Sequence, residues 1–309
     1  MDIRLIHKPV LFGLGLSATL AAAAAGCGQG GETSDAVYVP SPNAKLPTTA
    51  APSAAPAPGT ATTSTAPASG TAPTAAVKAE GWGTLKGRVV FNGDPPPPQV
   101  LQEKGKAVKN PELCAKDAPI LSERLVVDSG TKGVKNAFVY LMRPTAVNEE
   151  AKKAAASSKV VFDQKGCVFF PHALAVMTGV PVTVKSSDPV THNTNIALRS
   201  LQANPTLEPH GHIEVTPSSP ERTPGRVSCS IHPWMEAYWM ILDSPYFAVT
   251  DDKGNFEIKN VPAGTQKVTV WQEAVGFVTK GSGDDVTIKP NDTTTQDFTI
   301  EPSKVRPAG

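Results

Sequence analysis

A stretch of small and proline residues near the N-terminus limits how much of this chain can form a core. Every residue from Ala51 to Gly70 is Ala, Pro, Ser, Thr or Gly, and no charged residue lies between Lys45 and Lys78. Such a segment has almost no bulky apolar surface whose burial could offset its loss of conformational entropy. We therefore predict a disordered tether over residues 27–80. The core then lies in residues 81–309, which hold 16 of the 18 aromatic residues.

Residues 81–309 consist of short β-rich runs separated by turn signals. Pro181–Lys185 places Val182 and Val184 on one face, a period of two that is typical of a strand. The other predicted strands are Leu85–Phe91, Ala137–Met142, Lys159–Phe162, Cys167–Phe170, Arg226–Ser230, Ala237–Leu242, Phe247–Thr250, Phe256–Lys259, Lys267–Trp271, Asp285–Ile288 and Phe298–Ile300. Asp251–Asn255 has the composition of a hairpin turn, and only Asn148–Ser157 has a helical pattern. This spacing predicts an all-β fold built of β-sandwiches.

The charge balance excludes one broad class of partner. The chain has 29 Lys and Arg against 28 Asp and Glu, so its formal net charge is +1. A nearly neutral protein lacks the counterion release that drives binding to phosphate backbones, so we expect no nucleic-acid partner. No apolar run beyond the N-terminus approaches the ~20 residues that a membrane-spanning helix requires. A polytopic membrane protein is therefore excluded.

The first 26 residues resemble an export signal. Basic residues precede an apolar run that ends at Ala25, and small residues lead to Gly26 and Cys27. The end of this segment resembles a bacterial lipobox, although Ala24 stands where leucine is usual. The resemblance implies a lipid on Cys27 and an extracytoplasmic protein anchored to a bacterial membrane, on the periplasmic face or the cell surface. The alternative is ordinary signal cleavage, with Cys27 as an incidental thiol.

One cysteine, one histidine and one methionine occur within the seven residues from Cys229 to Met235, with His232 between them. His192 lies 37 residues before Cys229. Thiolate, imidazole and thioether are ligands that soft or borderline metals select, and two histidines, a cysteine and a weak axial methionine make up the trigonal blue-copper site. A turn over the end of a sandwich, between Cys229 and a strand near Tyr238, can direct these side chains inward. The sequence therefore predicts one type 1 copper ion.

The surrounding sequence resembles the cupredoxin family. The run from Phe170 through Asp188 to His192-Asn193 is similar to the cupredoxin strand pattern, and the Cys-x2-His-x2-Met spacing is similar to that of amicyanin. The resemblance covers roughly residues 159–243 and implies a Greek-key cupredoxin sandwich over residues 144–245.

The resemblance also implies a role for each site residue. His192, Cys229, His232 and Met235 would be the copper ligands. Asn193 would tie the two ligand loops together and hydrogen-bond near the Cys229 sulfur. The edge of His232, flanked by Pro233 and Trp234, would be exposed and would be the place where partners dock and electrons enter.

The cysteine count bears on whether Cys229 is free. If Cys27 carries a lipid, Cys114, Cys167 and Cys229 remain. Cys114 and Cys167 can form a disulfide and leave Cys229 for a metal. The alternative, a disulfide that uses Cys229, leaves a different cysteine unpaired and reduces the histidines to surface residues.

Three further histidines are placed outside the copper site. We interpret His172 as a strand-edge histidine and not as a ligand of a second metal. His210 and His212 match the His-x-His element of multicopper oxidases, but those enzymes need several such pairs and this chain has one. We therefore predict that His210 and His212 lie in an exposed loop.

Motifs on both sides of the copper region resemble carboxypeptidase-regulatory (transthyretin-like) modules. Gly83–Val89 and Gly133–Val139 are similar to the opening strands of such modules, and Phe247–Gly264 to the closing half. The resemblance implies a small sandwich made from residues 81–143 and 246–309, with the copper domain inserted in it or fused to its edge. Modules of this kind are usually structural or adhesive.

The sequence contains no general acid–base pair, nucleophile motif or phosphate-binding loop, so we do not predict an enzyme. We expect a membrane-tethered carrier of single electrons whose partners are redox proteins, either cytochromes or copper or quinoprotein oxidoreductases, in small transient contacts. Two other functions stay open: a binding or scaffold module with structural copper, and copper storage or delivery. Reversible redox chemistry would exclude a scaffold with structural copper, and metal transfer to an acceptor would indicate copper storage or delivery.

Overall fold

The structure, a computed structural model, describes residues 80–307 of the chain. The predicted export signal, Cys27 and the tether up to residue 79 lie outside these residues. Nearly every regular element in the described range is a strand, and the prediction of an all-β fold is confirmed. No helix in this part of the chain has the length and apolar character needed to cross a membrane.

Many of the strands are only two or three residues long. In chain order they are β1 (Trp82–Phe91), β2 (Val100–Gln102), β3 (Ile120–Leu121), β4 (Phe138–Leu141), β5 (Val160–Lys165), β6 (Val168–Phe170), β7 (Ala173–Met177), β8 (Val182–Ser186), β9 (His192–Asn193), β10 (Asn195–Ala197), β11 (Gln202–Ala203), β12 (Thr206–Leu207), β13 (His212–Val215), β14 (Gly225–Ser228), β15 (Glu236–Leu242), β16 (Phe247–Val249), β17 (Asn255–Pro262), β18 (Gly264–Gln272), β19 (Gly276–Phe277), β20 (Asp284–Ile288), β21 (Thr293–Thr295) and β22 (Phe298–Ile300).

The α-helix of the described region, α1 (Glu149–Ala156), lies where the sequence predicts it. The Asn148 side chain caps its N-terminus by accepting a hydrogen bond from the Ala151 N–H (2.9 Å). Two glutamates in the first turn complement the helix dipole, and the helix ends at Ser157. A single 3-10 turn, Pro302–Lys304, follows the last strand.

Strands from the two ends of the described region complete one another's sheets. In one sheet β1 pairs antiparallel with β17 and parallel with β21 and β22, and in the other β4 lies between β16 and β18. Leu85, Val89 and Phe91 of β1 point inward, because side chains alternate across a strand. They share a buried core with Val139 and Val270 of the second sheet. We call this pair of sheets the flanking sandwich. The predicted domain limits stay a prediction.

The central sandwich is made of the strands between. One sheet has the order β13-β8-β5-β6 and the other the order β11-β10-β14-β15-β7. Trp239 is fully buried, with its ring centroid 5.0 Å from that of Phe162, which in turn stacks on Phe169 at 5.0 Å. These large rings fill the space between the two sheets.

The two sandwiches share apolar contacts. Phe138 and Tyr140 of β4 pack with Ala173 of β7 and with Met240 and Leu242 of β15 in a third buried cluster. The flanking sandwich therefore supports the strand that leaves the candidate site.

The Asp251–Asn255 turn does not close a hairpin, contrary to the prediction. The strands on either side of it, β16 and β17, belong to different sheets, so the turn carries the chain from one sheet of the flanking sandwich to the other. Asp251 Oδ1 accepts hydrogen bonds from the N–H groups of Lys253 (2.9 Å) and Asn255 (2.8 Å). The sequence contains the signal for a tight turn, but the choice of sheet depends on distant pairing partners.

Candidate metal centre

The predicted ligands lie in two segments, the short strand β9 and the loop between β14 and β15. His192 and Asn193 form β9, which pairs with β12. Cys229 follows β14 directly and Met235 precedes β15 directly; these two strands are antiparallel neighbours in which Ser228 faces Glu236. The seven residues 229–235, called here the ligand loop, therefore turn over the end of the sheet. The pairing of β14 with β15 holds the two ends of the loop side by side.

Three of the predicted ligands come together. His192, Cys229 and His232 are almost completely buried, and each offers a nitrogen or sulfur atom within 4.8 Å of the other two. Cys229 Sγ lies 3.9 Å from His232 Nδ1, and the two imidazole centroids are 4.5 Å apart. Met235 is also buried, and its backbone closes the ligand loop: its N–H donates to His232 O (2.9 Å) and its carbonyl accepts from the Cys229 N–H (3.2 Å).

The His192 ring is oriented by Asp188. His192 Nε2 lies 3.0 Å from Asp188 Oδ2, and the same carboxylate accepts hydrogen bonds from the N–H groups of Gly166 (2.6 Å) and Cys167 (2.8 Å). His192 Nδ1 is buried and has no hydrogen-bond partner in the described part of the chain. A histidine whose Nε2–H donates to a carboxylate keeps a lone pair on Nδ1, which is the arrangement that metal-ligating histidines use.

The His232 ring is held by a residue from far away in the sequence. Residues 103–119, called here the cover loop, connect β2 to β3, and Asn110 of this loop places its Oδ1 3.0 Å from His232 Nε2. The His232 N–H donates to Cys229 Sγ (3.4 Å). His232 therefore presents Nδ1 toward Cys229 while its outer nitrogen is covered.

Asn193 joins the two loops. Its Oδ1 accepts hydrogen bonds from the N–H groups of Ser230 (2.8 Å) and Ile231 (3.3 Å) and lies 3.3 Å from Cys229 Sγ. Its Nδ2 donates to Asn204 Oδ1 (2.6 Å). These contacts are the ones expected of the residue that ties the ligand loop to β9.

The environment of Cys229 favours its thiolate. Burial by itself raises the pKa of the thiol, but the adjacent His192 and His232 residues and nearby backbone groups outweigh burial and lower the pKa to about 5. A thiolate is the form that binds metals, so this cysteine is prepared for a metal at neutral pH. Cys229 is also the free cysteine of the described region.

Cys114 and Cys167 form a disulfide that lies against the site. Both cysteines are buried, and the Sγ atom of each lies within 4.8 Å of a ring nitrogen of His232. Trp234 Nε1 donates to the carbonyl of Cys167 (3.0 Å). The disulfide thus fastens the cover loop to the central sandwich beside the ligand loop.

The expected exposed edge at His232 is absent, which corrects the sequence interpretation. Pro233 is exposed and Trp234 is half-buried, but His232 itself is 0% exposed. The physical reason is the cover loop, whose Asn110 occupies the outer nitrogen of the ring.

The other three histidines of the described residues lie apart from this cluster. His172 is buried, not solvent-facing, and its Nε2 lies 2.6 Å from Glu273 Oε2. His210 lies in an exposed turn, and His212 is an exposed residue of β13, so only part of the pair is in a loop. Asp188 and Asn110 were given no role from the sequence. The position of Asp188, four residues before His192, could have indicated its role. Nothing in the sequence around Asn110 indicates that it contacts His232.

The residues present fit a copper ion. The donor set is the thiolate of Cys229, the imidazoles of His192 and His232 and the thioether of Met235, all of them buried residues, which is the soft set that copper selects. The unpartnered His192 Nδ1 supplies the independent observation, because an orphaned buried nitrogen is costly unless a ligand satisfies it.

Comparisons with known proteins give matches to parts of the chain. The family described as Polysaccharide lyase family 4, domain II, matches residues 233–296, which begin in the ligand loop and run through β15 to β21. This match covers less than half of the chain. A search of the curated proteins finds no significant match.

Several solved structures are similar over part of the chain. They include a copper-containing nitrite reductase from Thermus scotoductus SA-01 (TM-score 0.25, 20% identity, 27% of this chain and 22% of that one). Another is a Cu(I) amicyanin variant (TM-score 0.25, 19% identity, 28% of this chain and 88% of that one). A third is a purple cupredoxin from Nitrosopumilus maritimus (TM-score 0.24, 18% identity, 27% of this chain and 99% of that one). The chain thus spans about a fifth of the nitrite reductase but most of the two small proteins. At these scores the likeness carries no argument about function.

Proposed function

We propose that this protein is a cupredoxin-like carrier of single electrons that uses one copper ion held by His192, Cys229, His232 and Met235. The observation that carries the proposal is the convergence of a thiolate and two imidazoles, all buried, within 4.8 Å of one another. Bound copper would supply the Cu(II)/Cu(I) couple.

The chain's own contribution is a cage that does not rearrange. Asp188 holds His192, Asn110 holds His232, and Asn193 holds the backbone of the ligand loop. Because the two imidazoles and the ligand-loop backbone are held from outside, their positions would change little with the charge that the site carries. Burial of the ligands also excludes water, which would otherwise reorient during transfer.

Electrons would reach the protein surface through the ligand loop. Trp234 has its ring centroid 5.3 Å from that of His232, and the neighbouring Pro233 is exposed. We propose this face as the contact for redox partners such as cytochromes or copper or quinoprotein oxidoreductases. The proposal has three further parts. The protein is tethered outside the cytoplasm by a lipid on Cys27 and converts no substrate. The flanking sandwich is a transthyretin-like module.

Burial favours a carrier over copper storage or delivery. A site that hands over its metal needs ligands that an acceptor can reach, whereas the three converging ligands here are at most 2% exposed. A scaffold with structural copper would have no need of reversible redox chemistry, so that property separates the two remaining functions.

The first test is the visible absorption spectrum of the full chain after addition of Cu(II). We expect an intense thiolate-to-copper band that Cys229→Ser abolishes. His210→Ala/His212→Ala serves as the matched control, because it removes two solvent-accessible histidines and should leave the band unchanged. A colourless protein, or a band that persists in Cys229→Ser, contradicts the proposal.

The second test is voltammetry of the copper-loaded protein. We expect a reversible one-electron wave whose potential shifts when Met235 is replaced by Leu, because the Met235 thioether would tune the couple. An irreversible response with an intact absorption band would instead favour structural copper.

A further inference from the structure

The strongest unexplained contact at the site is between Asn110 and His232. The two residues are 122 positions apart, and the 3.0 Å contact joins the side-chain oxygen of one to the outer nitrogen of the other. Asn110 belongs to neither ligand-bearing loop, and neither the copper ligands nor the Asn193 tie explains its position.

The cover loop is built to hold Asn110 in place. Asn110 has a φ of 46°, in the left-handed region that asparagine tolerates better than most residues. Its carbonyl accepts hydrogen bonds from the N–H groups of Leu113 (2.9 Å) and Cys114 (2.7 Å), and its Nδ2 donates to Glu112 Oε1 (3.1 Å). Since Nδ2 is engaged in this way, Oδ1 is the atom turned to the histidine.

The loop as a whole is anchored to the core. Cys114 is bonded to Cys167, and Ala107, Cys114 and Ala115 lie in the same buried cluster as Cys229 and Met235. The ends of the loop are joined by the pairing of β2 with β3. A segment fastened at its ends, at its disulfide and by its apolar residues keeps its side chains at fixed positions.

We propose that Asn110 is a positioning residue of the metal centre, which holds His232 in the Nε2–H tautomer and seals its outer edge. An amide oxygen can only accept, so Nε2 must carry the hydrogen and Nδ1 must keep its lone pair toward Cys229. Asp188 imposes the same choice on His192. The cover also separates His232 from external small ligands. The sealing of His232 against external ligands rests on the proposed copper site. The tautomer does not, since it is a property of the metal-free protein.

The first experiment measures the tautomer without metal. The full chain labelled with ¹⁵N-histidine is examined by long-range ¹H–¹⁵N correlation at about pH 9, well above the ordinary histidine pKa of about 6.5. We expect His232 to be a single Nε2–H tautomer in the natural protein and a mixture in Asn110→Gly, which removes the acceptor without straining the backbone. Asn110→Asp keeps an acceptor and should keep the single tautomer. A single Nε2–H tautomer in Asn110→Gly overturns the proposal.

The second experiment measures access to the loaded site. Free imidazole should leave the thiolate-to-copper band unchanged in the natural protein and perturb it in Asn110→Gly, with copper affinity lowered about 10- to 100-fold. Lys109→Gly is the matched control, because it loosens the cover loop at an exposed neighbour but leaves the acceptor in place. An equal effect in Lys109→Gly overturns the positioning role. If no protein shows the band, the proposed function fails while the tautomer result still decides on Asn110.

Discussion

At the scale of single residues, the two histidines of the site use different partners for the same task. His192 donates from Nε2 to a carboxylate four residues away, whereas His232 is held by an amide oxygen from a distant loop. In both rings Nδ1 is the nitrogen left free of these partners. A protein that must bind a metal without reorganising its ligands gains from this arrangement, because the rings are already oriented before binding.

His172 provides a pH-dependent contribution to stability. Burial by itself disfavours its charged form, but the hydrogen bond and charge of Glu273, with smaller contributions from Glu123 and Glu236, outweigh burial and raise the pKa of His172. The protonated pair therefore stabilises the folded state fully below the unfolded-state pKa of about 6.5, and this contribution is lost as the pH rises through the higher folded-state pKa. We expect His172→Gln to lower the free energy of unfolding by about 3 kcal/mol at pH 6, because it leaves Glu273 buried and unpaired.

The measurement is urea unfolding of the metal-free protein between pH 5 and pH 9. The difference in unfolding free energy between the natural protein and His172→Gln should shrink as the pH rises above about 6.5. Taking this difference removes the contribution of His192, whose pKa is also raised. His212→Gln, at an exposed position, should give no such difference. A difference that is constant with pH would show that the His172–Glu273 pair is not charged.

At the scale of elements, the Cys114–Cys167 disulfide restrains a long segment. The two cysteines are 53 residues apart, and closing a loop of that length in the unfolded chain corresponds to about 4 kcal/mol of stabilisation. We expect Cys114→Ala/Cys167→Ala to lose about that amount in urea unfolding. Cys229→Ala measures the separate cost of removing a buried sulfur. A loss in the double variant no larger than in Cys229→Ala would mean that the disulfide adds nothing by constraining the chain.

Gly133 marks the place where two segments of the flanking sandwich cross. A Cβ at this position would lie 1.8 Å from the Lys253 carbonyl oxygen and 2.7 Å from the Gly254 nitrogen, both backbone atoms that cannot move independently. We expect Gly133→Ala to lower the unfolding free energy by about 3 kcal/mol, the upper end of the usual cost of overpacking. Gly130→Ala is the control, since the nearest atom to its Cβ is 3.7 Å away, and it should change stability by less than about 0.5 kcal/mol. Equal effects would show that the crossing is loosely packed.

Which elements could be predicted follows from how local their determinants are. β22 has the bounds predicted for it, and α1 lies within the predicted range Asn148–Ser157. The two-residue strands β9, β11 and β12 were not predicted, because two residues are too few to show a period. The convergence of His192, Cys229 and His232 was predictable from spacing, since Cys229 and His232 share one loop and His192 lies 37 residues before Cys229. The cover loop was not, because nothing in the sequence around Asn110 indicates what it faces.

At the scale of the whole molecule, the two sandwiches are parts of one packed structure. The cluster of Phe138, Tyr140, Ala173, Met240 and Leu242 connects β4 of the flanking sandwich with β7 and β15 of the central one. β15 also ends the ligand loop, so it is shared by the site, the central core and the contact with the flanking sandwich. Stability added at the site should therefore reach both sandwiches.

This connection predicts a single unfolding transition that copper shifts as a whole. A ligand present at 100 times its dissociation constant adds about 2.7 kcal/mol to the folded state, provided that it does not bind the unfolded chain. We expect copper to raise one calorimetric transition by several degrees and to slow amide exchange in β1 and β17 as well as in β5 and β14. Cys229→Ser should show neither effect. Two transitions, of which copper moves only one, would mean that the shared cluster does not couple the sandwiches. In that case exchange in β1 and β17 would stay unchanged on loading, and the flanking sandwich would act as an independent module.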